Sequence, residues 1–285
     1  MTTATAAGTA DLGLFGPESV TWKVHAEPVL WIAGIRAVLL QAVHPLAMAG
    51  VFEHSDFKAD PWGRLFRTAD YVGTVTFGTT AAAERAAARV RGIHRRVRGV
   101  DPVTGLPYAA DDPDLLRWVH CCEVDSFLSV TRRAGLRLTA AEADAYVAEQ
   151  ATAAALVGLR TGVPRRVGEL AAYFDEVRPR LKVTAAAREA ARFVLAPPMP
   201  GVAKAAAPAW LGVASLAFAL LPRWARRMYR MPGLPTTDLS ATVWLRALRS
   251  GVGVLPERVR TGPHLREARA RLAAAASSAG SEIAP

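Results

Sequence analysis

The chain has 285 residues, 51% of them hydrophobic and 21% charged, with 35 Lys and Arg against 25 Asp and Glu. That length suits one large domain or two modest ones, and the apolar fraction excludes a disordered chain. The two cysteines, Cys121 and Cys122, are adjacent, which excludes a disulfide framework and any CxxC metal or redox motif. Apart from Lys23, Lys58, Lys182 and Lys204, the basic residues are all arginines. Three readings of that excess are open: coding bias in an alanine-rich chain, a nucleic-acid or membrane surface, or recruitment for anionic ligands.

Residues 1–14 carry neither a basic n-region nor an apolar run and read as a disordered lead without a secretory signal, so a cytoplasmic protein is expected. Helical periodicity dominates from there on, and alternating strand patterns are nearly absent. A long apolar helix is predicted over 24–50, interrupted near His44-Pro45, followed by helices over 64–77 and 80–98. Residues 99–111 carry turn chemistry in Asp101-Pro102 and Gly105-Leu106-Pro107. A helix over 112–134 has Pro113 in its first turn, and Thr139-Ala-Ala-Glu142 is a capping box opening the next. Further helices fit 165–177, 184–195, 202–221, 236–249 and 262–275. The expected architecture is one all-α domain over 15–275 with a disordered tail over 276–285. The uncharged stretch Ala205–Pro222, with arginines at 223, 226, 227 and 230 beyond it, reads as a buried helix, with peripheral membrane contact as the alternative.

Among the six histidines, His94 shares a helix face with Val90, Ile93 and Val97, and His120 shares one with Leu116, Val124 and Phe127. Each is open to two readings, a satisfied core histidine or a ligand. Arg64, Arg67, Thr68 and Tyr71 follow at i, i+3, i+4 and i+7, aligning two guanidiniums, a hydroxyl and a phenol on one face. Such donors suit an anionic ligand or a polarised oxygen species, while a solvated face paired to Asp60 or Asp70 is the equal alternative. The chain has no dinucleotide or Walker loop, no HExxH, no Glu-x-x-His pair and no GxSxG elbow. The run Arg89–Arg98 reads as a solvated face, and nucleic-acid binding lacks both a motif and interleaved aromatics.

The order of these segments resembles a known family. It runs from His44-Pro45 and Asp60-Pro61 through Arg64-Leu-Phe-Arg67-Thr68-Ala-Asp-Tyr71 to Val90-Arg-Gly-Ile-His94-Arg-Arg-Val-Arg-Gly99. Tyr108-Ala-Ala-Asp-Asp-Pro113 and Leu116-Arg-Trp118-Val-His120 complete it. The family is the helical oxygenase domain shared by rubber oxygenases (latex clearing proteins) and mpaB-like oxygenases, and the resemblance spans about 15–271. It implies a globin-like helical domain enclosing haem b, with His94 at the position of the proximal iron ligand. Arg64, Arg67 and Thr68 match the family's distal Arg-x-x-Lys-Thr motif, with arginine in place of a lysine that can cap the iron. A guanidinium stays protonated and does not ligate iron in that way. The family's upstream glutamate base has no match here, Glu53 lying nearest. The resemblance further implies His120 and His44 as alternative cofactor contacts, Tyr71 and Trp118 as pocket walls, and an apolar substrate with dioxygen or peroxide as partners. A non-catalytic haem-binding or redox-sensing protein and a membrane-surface helical protein are the alternatives.

Overall fold

The computed structural model describes residues 11–55, 58–199 and 201–281. Fourteen helices and one two-stranded hairpin run through them. The first apolar stretch forms α1 (Val20–His25), α2 (Leu30–Gln41) and α3 (Pro45–His54), then come α4 (Pro61–Phe77) and α5 (Thr80–His94). The hairpin β1 (Arg98–Val100) and β2 (Pro107–Ala109) leads into α6 (Pro113–Ala134) and α7 (Ala140–Leu156). The remainder is α8 (Val167–Val177), α9 (Ala185–Leu195), α10 (Ala207–Ala219), α11 (Arg223–Met228), α12 (Thr237–Gly253), α13 (Glu257–Arg260) and α14 (Pro263–Ser281).

The expected helix over 24–50 is three helices. Pro28 disfavours helical backbone at Glu27 and ends α1, and the Glu27 carboxylate takes two hydrogen bonds from Arg249 of α12, at 2.7 and 2.8 Å. The helix expected to reach Arg98 stops at His94, and the chain turns into the antiparallel hairpin, with Gly99 opposite Tyr108. Asp101 holds the hairpin loop by accepting from the Val103 and Thr104 amides. A Cβ at Gly99 would lie 2.5 Å from the Tyr108 hydroxyl, so only glycine lets the tyrosine cross this strand. The expected tail from 276 is instead the last part of α14, sustained to Ser281 by an alanine run of high helix propensity. Asp11, at the end of the expected lead, accepts from the Thr80 amide and hydroxyl at 2.8 and 2.9 Å. Residues 1–10 and 282–285 lie outside the described residues.

Caps anticipated from composition form. Asp112 accepts from the Asp114 and Leu115 amides, and Thr139 with Glu142 makes a full capping box. The core is built on α2 and α6, which pack along their length around Ile32, Ile35, Leu39, Trp118, Cys122 and Val130. Arg36 of α2 is buried in that contact, paired with Asp125 at 2.8 Å and donating to the Ser126 hydroxyl and the Leu220 carbonyl. Arg226 is buried likewise and pairs with Asp238 at 3.0 Å. Part of the arginine excess expected on the surface is therefore internal structure.

The uncharged stretch Ala205–Pro222 supplies α10, which packs on α2, α9 and α12 with Ala214, Ala217 and Phe218 buried. Among the described residues no single helix is long and apolar enough to cross a membrane, although α2 and α3 together, bent by 106°, meet the length and composition required.

Candidate functional site

Helix α6 packs closely on α1, α2, α3, α7 and α12, whereas α4 and α5 pack on each other and on α1, α7 and α14. The α4–α5 pair thus stands off from α6. The side chains that face this gap have an unusual state. His120 and Glu123, one turn apart on α6, are only half-buried, yet protein surrounds them closely enough to control their ionisation. Burial pushes the His120 pKa down to about 4 and the Glu123 carboxyl up to about 7. A group surrounded by protein that keeps free surface borders a hollow, whether closed or open to solvent. Among the described residues neither side chain has a hydrogen-bond or ion-pair partner.

Across the gap, α4 contributes Tyr71. Burial raises its phenol, the Glu123 charge raises it further and Arg91 of α5 opposes both. One turn beyond Arg91 stands His94, half-buried, its Nδ1 enclosed without a hydrogen-bond partner among the described residues. Burial lowers the His94 pKa, against a smaller opposing effect of Asp111. His94 is therefore a neutral imidazole with an unsatisfied ring nitrogen, a state that costs about 1–3 kcal/mol unless something meets it. Arg91, expected on a solvated flank, turns inward and donates to the Leu156 carbonyl.

Further along α4 lies an apolar cavity of about 150 Å³ with an open mouth, bounded by α2, α3, α4, α9 and α10 and by Val119 of α6. Thr68, one turn from Tyr71, and Arg64 both line it. The Thr68 hydroxyl donates back to the Arg64 carbonyl at 3.0 Å, while the Arg64 guanidinium donates to the Ser55 hydroxyl. Burial, and secondarily Arg67, lowers the Arg64 pKa. Arg67 does not join them. Its side chain is 66% exposed and pairs with Asp60 at 3.0 Å, the solvated alternative for this one member of the face.

His44 and Trp118 are brought together elsewhere. Their rings lie 5.8 Å apart on the side of α6 that meets α3 and α8, and Trp118 donates to the Gln41 carbonyl at 2.9 Å. His44 caps α3, accepting from the Ala47 amide at 3.4 Å, and burial pushes its pKa down to about 4. The position of residue 118, 200° around α6 from residue 120, explains the separation.

Two side chains escaped the sequence reading. Glu123 follows His120 by three residues, the reverse order of the Glu-x-x-His pattern that was sought, and on a helix the two orders share a face equally well. His25, by contrast, is enclosed between α4 and α7 away from free surface, its ring nitrogens 2.7 Å from Thr76 Oγ1 and 3.1 Å from the Tyr146 hydroxyl, with its pKa pushed down to about 3. Nothing in its local sequence distinguishes it. Both cysteines are buried free thiols, and burial pushes Cys121 up to about 12, so thiolate chemistry is not available there. Among the described residues no group of three or more His, Cys, Asp or Glu side chains could hold a metal ion between them.

Residues 22–254 match the family model described as "ER-bound oxygenase mpaB/B'/Rubber oxygenase, catalytic domain". No curated protein and no solved structure matches the chain.

Proposed function

The chain belongs to the mpaB/rubber oxygenase catalytic-domain family, and from that premise we propose that it is a haem b-dependent oxygenase of an apolar substrate, with His94 as the protein ligand to iron. A planar cofactor in the gap between the α4–α5 pair and α6, walled in a globin-like manner by helices, would meet these side chains. The observation that carries the reading is His94 itself: a neutral imidazole with an enclosed ring nitrogen and no partner. One unprotonated imidazole suffices for porphyrin iron, whose other ligands come from the ring.

When bound, haem supplies activation of dioxygen or peroxide. The chain's own residues do the rest. His120 and Tyr71 offer the hollow a neutral imidazole and a protonated phenol. Glu123 exchanges its proton near neutral pH and is the group best suited to deliver or accept one there. Thr68 and Arg64 line the apolar cavity, whose walls favour an apolar body. Arg67, paired at the surface, organises the entrance of α4 through Asp60, which also caps that helix by accepting from the Gly63 amide at 2.8 Å.

Protein expressed with adequate iron and haem should show a Soret band, and its ferrous form should take up carbon monoxide. Absence of the band after haem titration refutes the cofactor. A haem-loaded protein whose ferrous form ignores carbon monoxide would instead be a closed, non-catalytic haem carrier.

A second reading, peripheral membrane contact, is favoured by the outer face of α12. Leu239, Val243 and Trp244 are exposed there, the tryptophan by 70%, beside exposed Arg227 and Arg246. Apolar anchors among arginines suit an anionic leaflet. Co-sedimentation with phosphatidylserine vesicles that weakens at high salt supports it, and equal sedimentation with neutral vesicles contradicts it.

A further inference from the structure

The cavity walls are almost wholly hydrocarbon, with Ile35, Met48, Val51 and Phe193 among them, and among the described residues Arg64 is the one charged side chain that lines them. The two deeply buried arginines elsewhere each have a carboxylate, Asp125 for Arg36 and Asp238 for Arg226. Arg64 has none among the described residues. Its guanidinium carries five donors, and the hydrogen bond to Ser55 engages one of its nitrogens. A cation held in apolar surroundings without an anion gains from any anion delivered to it, because the desolvation has already been incurred.

We propose that the cavity binds an elongated amphipathic carboxylate, with its hydrocarbon chain along α2, α3, α9 and α10 and its carboxylate on Arg64. This deepens the oxygenase reading, and rests on it only in calling the ligand a substrate. The lining runs from Ile35 and Val38 of α2 past Met48 and Val51 of α3 to Phe193 of α9 and Trp210 of α10 and is open at its mouth, so an extended hydrocarbon chain can lie along it. Thr68 lies one turn along α4 from Arg64 in the same lining, so an anchored carboxylate fixes how far along α4 the chain reaches. The same guanidinium could be met by a second source of carboxylate, a propionate of the haem proposed above, and the two sources make different predictions.

The test is calorimetric titration of dodecanoate, dodecanol and dodecylammonium into haem-loaded and haem-free protein. Dodecanoate should bind at least tenfold more tightly than dodecanol, and dodecylammonium most weakly, in both preparations. Arg64→Gln should bring dodecanoate and dodecanol within about twofold of each other while leaving the dodecanol affinity intact, which also reports that the cavity is still folded. Arg64→Lys should keep part of the preference, and Arg67→Gln all of it. Equal affinity for dodecanoate and dodecanol in the wild type overturns the proposal. So does a preference in haem-free protein that vanishes on haem loading, because the anion on Arg64 would then be the cofactor's. The Soret band of the same preparations reads the haem proposal separately, since a carboxylate preference without a Soret band upholds the ligand class and removes the cofactor.

Discussion

Helix α6 has two faces that the protein treats in opposite ways. The face with Trp118, Cys122, Asp125 and Ser126 is sealed against α2, and its polar groups are matched by Arg36. The face with His120 and Glu123 is also surrounded by protein, but among the described residues its polar groups have no hydrogen-bond or ion-pair partner, and they keep free surface. The first arrangement is that of a stability core. The second resembles the interior of a binding site, where groups are held ready at a cost that a ligand offsets. One helix therefore forms the boundary between the part that holds the fold and the part to which the proposed chemistry is assigned.

The comparison can be broken most severely on the packed side. Arg36→Leu leaves Asp125 and Ser126 without their partner, and breaking a buried pair in this way costs about 3–5 kcal/mol, read as a lower urea midpoint. A loss below about 1 kcal/mol would mean that the packed face tolerates unmatched groups as the hollow does.

Glu123→Gln should act in the opposite direction. The folded carboxyl titrates near 7, above its ordinary value, so the folded state binds more protons between about pH 4.5 and 7 and wild-type stability falls as pH rises through that window. The haem-free Gln variant should therefore be more stable than wild type at pH 8, by at most about 3 kcal/mol, and the gain should fade below pH 4.5. His25, His44 and His120 carry the reverse dependence. Their folded pKa values are depressed, so the stability they contribute is present above about 6.5 and lost as pH falls toward 4. Urea midpoints of both proteins from pH 4 to 8 separate the two effects.

Gly73→Ala tests the outer wall of the hollow. A Cβ there would come within 2.3 Å of the His264 ring, whose Nε2 lies 3.1 Å from Asp70, so the ring must swing off Asp70 or α14 must shift away from α4. Overpacking of this kind costs about 1–3 kcal/mol, read as a lowered melting temperature. The smallest effect belongs to His44→Ala, which removes a helix cap worth about 1 kcal/mol and should leave any cofactor spectrum unchanged.

Much of the packed half was legible in the sequence. The start of α6 followed from Asp112 and Pro113, that of α7 from the Thr139–Glu142 box, and the all-α class from periodicity. The hairpin was not, because three-residue strands are too short to show alternation. The end of α1 was masked by an apolar pattern that continues past Pro28. At the site, Arg64, Thr68 and Tyr71 could be read from spacing, but the arc of a helix face is wide enough that Arg67, on the same list, reaches Asp60 and solvent instead. Arg91 was hidden in a run of arginines whose directions only packing decides. Glu123 was missed because residue order, not helix geometry, guided the search.

The central proposal is that His94, whose Nδ1 has no hydrogen-bond partner among the described residues, holds the haem iron. Haem titration of wild type, His94→Gly and His44→Ala, followed by absorption, tests it directly. The account predicts one haem per chain and a common spectrum for wild type and His44→Ala, with an altered Soret band for His94→Gly that returns to the wild-type position on addition of imidazole. A His94→Gly protein that binds haem with the unaltered wild-type spectrum contradicts it.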